Sequence, residues 1–222
     1  MSTPADGAAV PLLSAEEAVD AARVLLDAAL RSGSRRLLGI SGAPGAGKST
    51  LTELLAGRLP AGSCAVVPMD GFHLADVALD RLGRRDRKGA PDTFDAAGYV
   101  ALLQRLRTAR ATDPSVWAPM FERDLEQPLA GAIEVAGEVP LVITEGNYLL
   151  TDGAFAQVPT MLDARWFVEM PEELRHQRLI ARHEHFGKSP EAAREWALGP
   201  DEANARLVAA TRSRADAVVQ LG

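Results

Sequence analysis

The twelve residues from Ile40 to Leu51, ISGAPGAGKSTL, set Gly42, Gly47, Lys48 and Ser49 at the spacing G-x-x-x-x-G-K-[ST]. Each residue type has a separate task at such a spacing. Glycines let backbone N–H groups curl around phosphate oxygens, the lysine reaches the β and γ phosphates, and the hydroxyl beside it can hold Mg²⁺. Ala43, Pro44, Gly45, Ala46 and Thr50 complete the span. The same residues could also form nothing more than a turn, so what flanks them matters.

Two acids follow. Asp70 in VVPMDGFHL could accept the proton of a substrate hydroxyl, or could serve as an Asx-turn or helix cap ahead of FHLADVALDRL. Glu145 ends the apolar run of PLVITEGNYLL, where a carboxylate can contact Mg²⁺ directly or through water, although apolar strands often end in an acid without a metal. Arg175, Arg178 and Arg182 lie three and four residues apart and share a helical face. That face could close over phosphates, or could be a solvated basic stripe paired with Glu172, Glu173 and Glu184. His183 and His185, two residues apart, cannot share a face, which argues against a zinc pair. His73 stands beside Asp70 as a substrate contact or as a structural histidine.

The elements that must position these groups alternate. RRLLGIS reads as a strand, KSTLTELLAGRL as a helix, CAVVPM as a strand and FDAAGYVALLQRLRTAR as a helix. AIEVAG, VPLVITEG, ARWFVEM and ADAVVQL are further strand candidates, with helices over about 172–186 and 190–210. Ahead of them Ser14 and Glu17 have capping-box spacing, and a helical pattern runs on to Gly33. Near-continuous aliphatic strands alternating with helices predict an α/β fold, a doubly wound, mostly parallel sheet covered on both faces. The glycine-rich stretch then lies between strand and helix, the context a phosphate cradle requires. Strand ends line the crevice of such sheets, which puts Asp70 in the same region. Residues 82–93 and 113–128, rich in charge and proline, read as irregular loops.

Composition narrows the partners. With 24 basic and 30 acidic residues the formal charge is −6, which argues against a general nucleic-acid or anionic-membrane surface and makes any basic patch a local feature. Cys64 is the one cysteine, so no intramolecular disulfide or cysteine metal cluster forms, and it reads as a small buried strand residue. The first residues, MSTPADGAAVPLL, have no basic, apolar leader pattern, and no uncharged apolar run is long enough to span a bilayer. A cytoplasmic chain is expected, one domain over residues 1–222 with a tail and leading helix over 1–34.

LLGISGAPGAGKST, VVPMDGFHL, VITEGNYLL and LRHQRLIARH, in this order, resemble the P-loop kinases that include pantothenate kinase, uridine kinase and phosphoribulokinase. The closing NARLVAATRSRADAVVQL is similar to the last segment of the pantothenate kinases. The resemblance implies the P-loop NTPase fold with a small helical lid at about 171–190, and ATP- and Mg²⁺-dependent phosphorylation of a hydroxyl on a small metabolite. It implies Asp70 as catalytic base, Lys48 on the phosphates, Ser49 and Glu145 near the metal, Arg178 and Arg182 as lid arginines, and Asn204 near the adenine. It also allows a homodimer.

Where substrate would be read the chain departs from both named branches. It carries WAPMFERDLEQPLAGAI in place of their Tyr- and His-containing runs. This stretch, with RKGAPDTFD before it, is closer to a uridine-kinase-like nucleoside/nucleotide kinase subgroup. Phe121 and Arg123 are candidate substrate contacts, Arg123 having a salt bridge to Glu122 or Asp124 as its alternative. Arg84, Arg85, Arg87 and Lys88 could meet an anionic substrate, although solvation of a loop is favoured. A regulatory GTPase or nucleotide switch is the rival class, yet the guanine-specifying Asn-Lys-x-Asp run is absent from the sequence.

Overall fold

Leu37 and Leu38 belong to the same strand but face different cores, as the period of two along a strand requires. In the computed structural model, which describes residues 9–221, this alternation organises the molecule. Residues 1–8 of the expected tail lie outside the described residues.

The strands are β1 (Leu12–Leu13), β2 (Arg36–Gly42), β3 (Cys64–Val66), β4 (Val116–Glu122), β5 (Gln127–Val135), β6 (Leu141–Gly146), β7 (Ala164–Glu169) and β8 (Ala217–Gln220). Six form a sheet in the order β1-β8-β7-β2-β6-β3, every neighbouring pair parallel. The strand that feeds the glycine-rich loop, β2, is flanked by β6 and β7, so both loops next to it open at the same edge.

One face of the sheet buries Leu38, Ile40, Ile143, Trp166 and Val168 against α1 (Ala15–Ser32) and α2 (Lys48–Arg58). The other buries Leu37, Val142 and Phe167 against α4 (Ala96–Thr108), which follows the short α3 (Asp76–Leu82), with Tyr148, Phe155 and the short α5 (Val158–Met161) in the same layer. The predicted capping box of α1 is formed. Glu17 N donates to Ser14 Oγ at 3.3 Å, Ser14 N donates to Glu17 Oε2 at 2.8 Å, and Gly33 closes the helix at φ 63°.

Three elements differ from expectation. The stretch 113–128 is not an irregular loop. It holds β4 and the turn into β5, and AIEVAG pairs with it in an antiparallel hairpin outside the main sheet. The helix expected over 190–210 breaks at Gly199–Pro200 into α7 (Pro190–Leu198) and α8 (Pro200–Ala209), because proline cannot continue the hydrogen-bond ladder of the helix before it. Two-residue β1, too short to register as a period, joins the sheet edge beside β8.

Two buried networks tie this frame to the crevice. Tyr99 Oη donates to Thr144 Oγ1, which donates to Val67 O, both at 2.6 Å, so that α4 pins the exit of β3 next to β6. Arg35 donates to the carbonyls of Leu106, Ala136, Gly137 and Val139, anchoring the chain between β5 and β6 to the end of α4.

Candidate active site

The loop 43–47 joins β2 to α2 through two glycines at positive φ, Gly45 at 77° and Gly47 at 93°, a conformation that L side chains rarely adopt. No side chain caps the start of α2 and no acid lies in its first turn, so its N–H groups point into the loop with the positive helix end behind them. Lys48 Nζ reaches back over the loop to Gly42 O at 3.0 Å, Ala43 O at 3.1 Å and Asn147 Oδ1 at 2.7 Å. Burial pushes the Lys48 ammonium down from its ordinary value, while the charges of Glu145 and Asp70 pull it back up. Ser49 Oγ donates to Glu145 Oε1 at 3.1 Å, bringing two hard oxygen ligands together at the end of β6. Both groups fit their expected cargo: a cradle of free N–H groups with one ammonium for phosphates, and an oxygen pair for Mg²⁺.

Asp70 sits in a single 3-10 turn, Met69–Phe72, directly after β3. Burial raises its carboxyl, yet the charges of His73, Arg123, Lys48 and Arg182 outweigh burial and hold it below the ordinary carboxylate value. His73 is itself pushed down by burial. Its Nδ1 donates to Asp70 O at 2.8 Å and its ring lies between those of Phe94 and Phe121, with centroids 4.0 and 4.7 Å away. The histidine shapes the Asp70 turn.

The hairpin brings the fourth group. Gly71 is buried against β4, where a Cβ would lie 2.3 Å from Pro119 O, so only glycine allows this approach. Beyond that contact Phe121 and Arg123 enter the crevice. Arg123 Nη2 pairs with Asp70 Oδ2 at 3.4 Å, not with Glu122 or Asp124. Lys88 lies 5.4 Å from the Phe121 ring centroid and bonds Asp76 and the carbonyl of Glu126. Lys88 is thus drawn into the crevice, whereas Arg84 and Arg87 pair with Asp92 at the surface.

Helix α6 (Glu172–His185) supplies the opposite wall. Arg178 and Arg182 line the crevice and have no ion-pair partner among the described residues. Arg175 does not join them: it is buried on the other side and pairs with Glu202 of α8 at 2.5 Å. His183 bonds Asp201 at 2.7 Å. Asn204 is buried in the crevice wall and donates to Gly89 O at 3.3 Å.

The whole crevice holds about 650 Å³ and is lined by seven Lys or Arg side chains against five Asp or Glu, a local excess of positive charge in an acidic chain. Asn147 was missed in the sequence, although it directly follows Glu145 and Gly146 at a strand end, and that position was signal enough to have named it.

Comparison with known proteins bears on this arrangement. A model of the Phosphoribulokinase / Uridine kinase family matches residues 37–222. The uncharacterized protein YggC of Escherichia coli K12 is 34% identical over 185 residues, covering 80% of this chain and 74% of its own length. A pantothenate kinase of Mesorhizobium japonicum is 29% identical, with 84% of this chain and 67% of the relative covered. Among solved structures, a provisionally assigned fructose transport system kinase from Silicibacter sp. TM1040 superposes with a TM-score of 0.82 at 37% identity, covering 95% of this chain and all of its own. Among the described residues no helix is long and apolar enough to cross a membrane.

Proposed function

The chain belongs to the phosphoribulokinase / uridine kinase family, a family of P-loop kinases that use ATP, and from that premise we propose which residues carry phosphoryl transfer and to what. The acceptor is a hydroxyl of a small metabolite in the class of nucleosides, sugars or pantothenate-like hydroxy acids. The observation that carries this reading is the convergence of Lys48, Ser49–Glu145, Asp70 and, without an ion-pair partner among the described residues, Arg178 and Arg182 on one crevice from four separate segments.

In this reading the N–H groups of residues 43–50 and Lys48 hold the triphosphate, and Ser49 with Glu145 holds Mg²⁺. Bound there, the ion supplies neutralisation of phosphate charge. Asp70 accepts the proton of the acceptor hydroxyl and orients its oxygen in line with the γ phosphorus. A carboxylate held below its ordinary value stays ionised and ready near neutral pH. Arg178 and Arg182 offset charge on the transferring group from the α6 side, and α6 with the turn after it, about 171–190, acts as a lid that excludes water. In the same reading Asn204, in the crevice wall beside Gly89 O, contacts the adenine, and His73 and Phe121 form an apolar and aromatic wall for the acceptor.

Relatives include a pantothenate kinase and a provisionally assigned kinase of a fructose transport system, which supports a hydroxyl acceptor without choosing one. A screen of nucleosides, sugars and hydroxy acids for acceptor-dependent ADP release tests the reading. Release stimulated by at least one class is expected. ATP binding with no stimulation by any of them would point to a nucleotide-binding module without an acceptor.

A further inference from the structure

The base that would accept the hydroxyl proton is already engaged. Arg123, from the turn of the β4–β5 hairpin, pairs with Asp70 through a single contact at 3.4 Å. Charge-assisted N–H···O contacts are commonly about 2.7–2.9 Å, and arginine meets a carboxylate best through two of them. The pair is therefore a loose one, open to replacement by a better-matched partner.

The pair's neighbours Asp76, Arg85 and Lys88 are matched to one another. Asp76 is bonded by Lys88 at 2.7 Å and by Arg85 at 3.0 Å, and Arg85 also pairs with Asp80. Lys88 spends a further donor on the carbonyl of Glu126. When an acceptor hydroxyl takes Asp70, Arg123 loses the one ion-pair partner that its charge has among the described residues, in a part-buried site. A neutral sugar or nucleoside would leave that charge unpaired. A phosphate ester, close to dianionic at neutral pH, carries one charge more than this guanidinium takes. A single carboxylate matches it.

Resting on the kinase reading above, we propose that the acceptor is a hydroxy acid whose carboxylate takes Arg123 from Asp70 in the same event in which its hydroxyl takes Asp70. The pair then acts as a selectivity device: Asp70 is freed only by a molecule that carries both groups. Phe121, with the Arg123 guanidinium 6.0 Å from its ring centroid and the His73 ring on another side, supplies the surface against which the carbon chain between the two groups lies. The covalent step is unchanged. The hydroxyl oxygen bonds to the γ phosphorus, the bond from that phosphorus to the bridging oxygen of ADP breaks, and the hydroxyl proton goes to Asp70.

The test uses matched pairs that differ in charge: glycerate with glycerol, gluconate with glucose, and pantothenate with pantothenol. Each is titrated into the full chain with a non-hydrolysable ATP analogue and followed by saturation-transfer NMR, with ADP release from ATP measured in parallel. At least one acid is expected to bind about 10- to 100-fold more tightly than its neutral partner. In Arg123→Gln that ratio falls to near one, and Arg123→Lys recovers part of it. The acid-to-neutral ratio is the readout, so any general effect of the substitution on nucleotide affinity cancels, and melting curves confirm that the variants fold. Ratios near one for all three pairs, or a preference that survives Arg123→Gln, would overturn the proposal. Acid preference intact but no phosphoryl transfer to any acid would instead sink the kinase reading and leave the anion site standing.

Discussion

Gly71→Ala tests how the site is assembled, because Gly71 touches no ligand in the proposed mechanism. A methyl group at this position would lie 2.3 Å from Pro119 O, 2.7 Å from Pro119 C and 3.1 Å from Met120 N. All three are backbone atoms of β4, so no side-chain rotation relieves the contact. Ordinary van der Waals approach begins at 3.4 Å, and the hairpin must retreat by about 1 Å to reach it. Overpacking of this kind costs about 1–3 kcal/mol. For a chain of this size that lowers the melting temperature by about 2–12 °C. The retreat also draws Phe121 and Arg123 away from Asp70, and a displacement of about 1 Å at a reacting centre costs about 10²-fold in rate. ATP affinity should hold, because the hydrogen bonds of Lys48 go to Gly42, Ala43 and Asn147 and none goes to the hairpin. The assay is differential scanning fluorimetry, calorimetry with ATP, and ADP release with the acceptor found by the screen. Wild-type turnover and melting temperature in Gly71→Ala would refute the claim that the hairpin is seated on this turn. A fall in ATP affinity in step with turnover would mean general disruption instead.

Two further outcomes follow from the buried charges. Lys48→Ala removes the ammonium of the cradle and should weaken ATP binding about 10- to 100-fold by calorimetry, an unchanged affinity counting against the cradle. Burial raises the Glu145 carboxyl above its ordinary 4.5, with Lys48 pulling it down and Asp70 pushing it up, so the folded state favours the neutral acid. Its contribution to stability is therefore full below 4.5 and is lost as pH rises from there through the raised folded value. Glu145→Gln stays neutral throughout and should lose less melting temperature over that window than wild type, while Mg²⁺ no longer enhances nucleotide binding. Equal pH profiles in the two proteins would contradict the burial argument.

Much of this site was legible because its chemistry is written in consecutive residues. The phosphate loop uses backbone N–H groups in a row, so G-x-x-x-x-G-K-[ST] between an aliphatic run and a helical pattern carries its own geometry. Asp70 and Glu145 were readable for a related reason, since strand ends of a parallel sheet meet at one edge. The hairpin was not. Pro119 and the register shift between Ala118 and Met120 break the alternation that marks a strand, and the charged turn after Glu122 looks like loop. Its partner AIEVAG reads as a strand, but periodicity does not say which strand a strand will pair with. The Arg123–Asp70 pair spans 53 residues and depends on that hairpin. The turn of Lys88 into the crevice and of Arg175 away from it likewise depend on acids elsewhere in the sequence, Asp76 for Lys88 and Glu202 on another helix for Arg175.

Asp70 is proposed to accept the proton of an acceptor hydroxyl in a crevice otherwise suited to ATP, and Asp70→Asn tests this most directly. The substitution keeps size and hydrogen-bonding reach while removing the base. ATP affinity by calorimetry should stay close to wild type, and acceptor-dependent ADP release should fall by about 10²- to 10⁴-fold. Undiminished turnover in Asp70→Asn, with ATP still bound, would contradict the account.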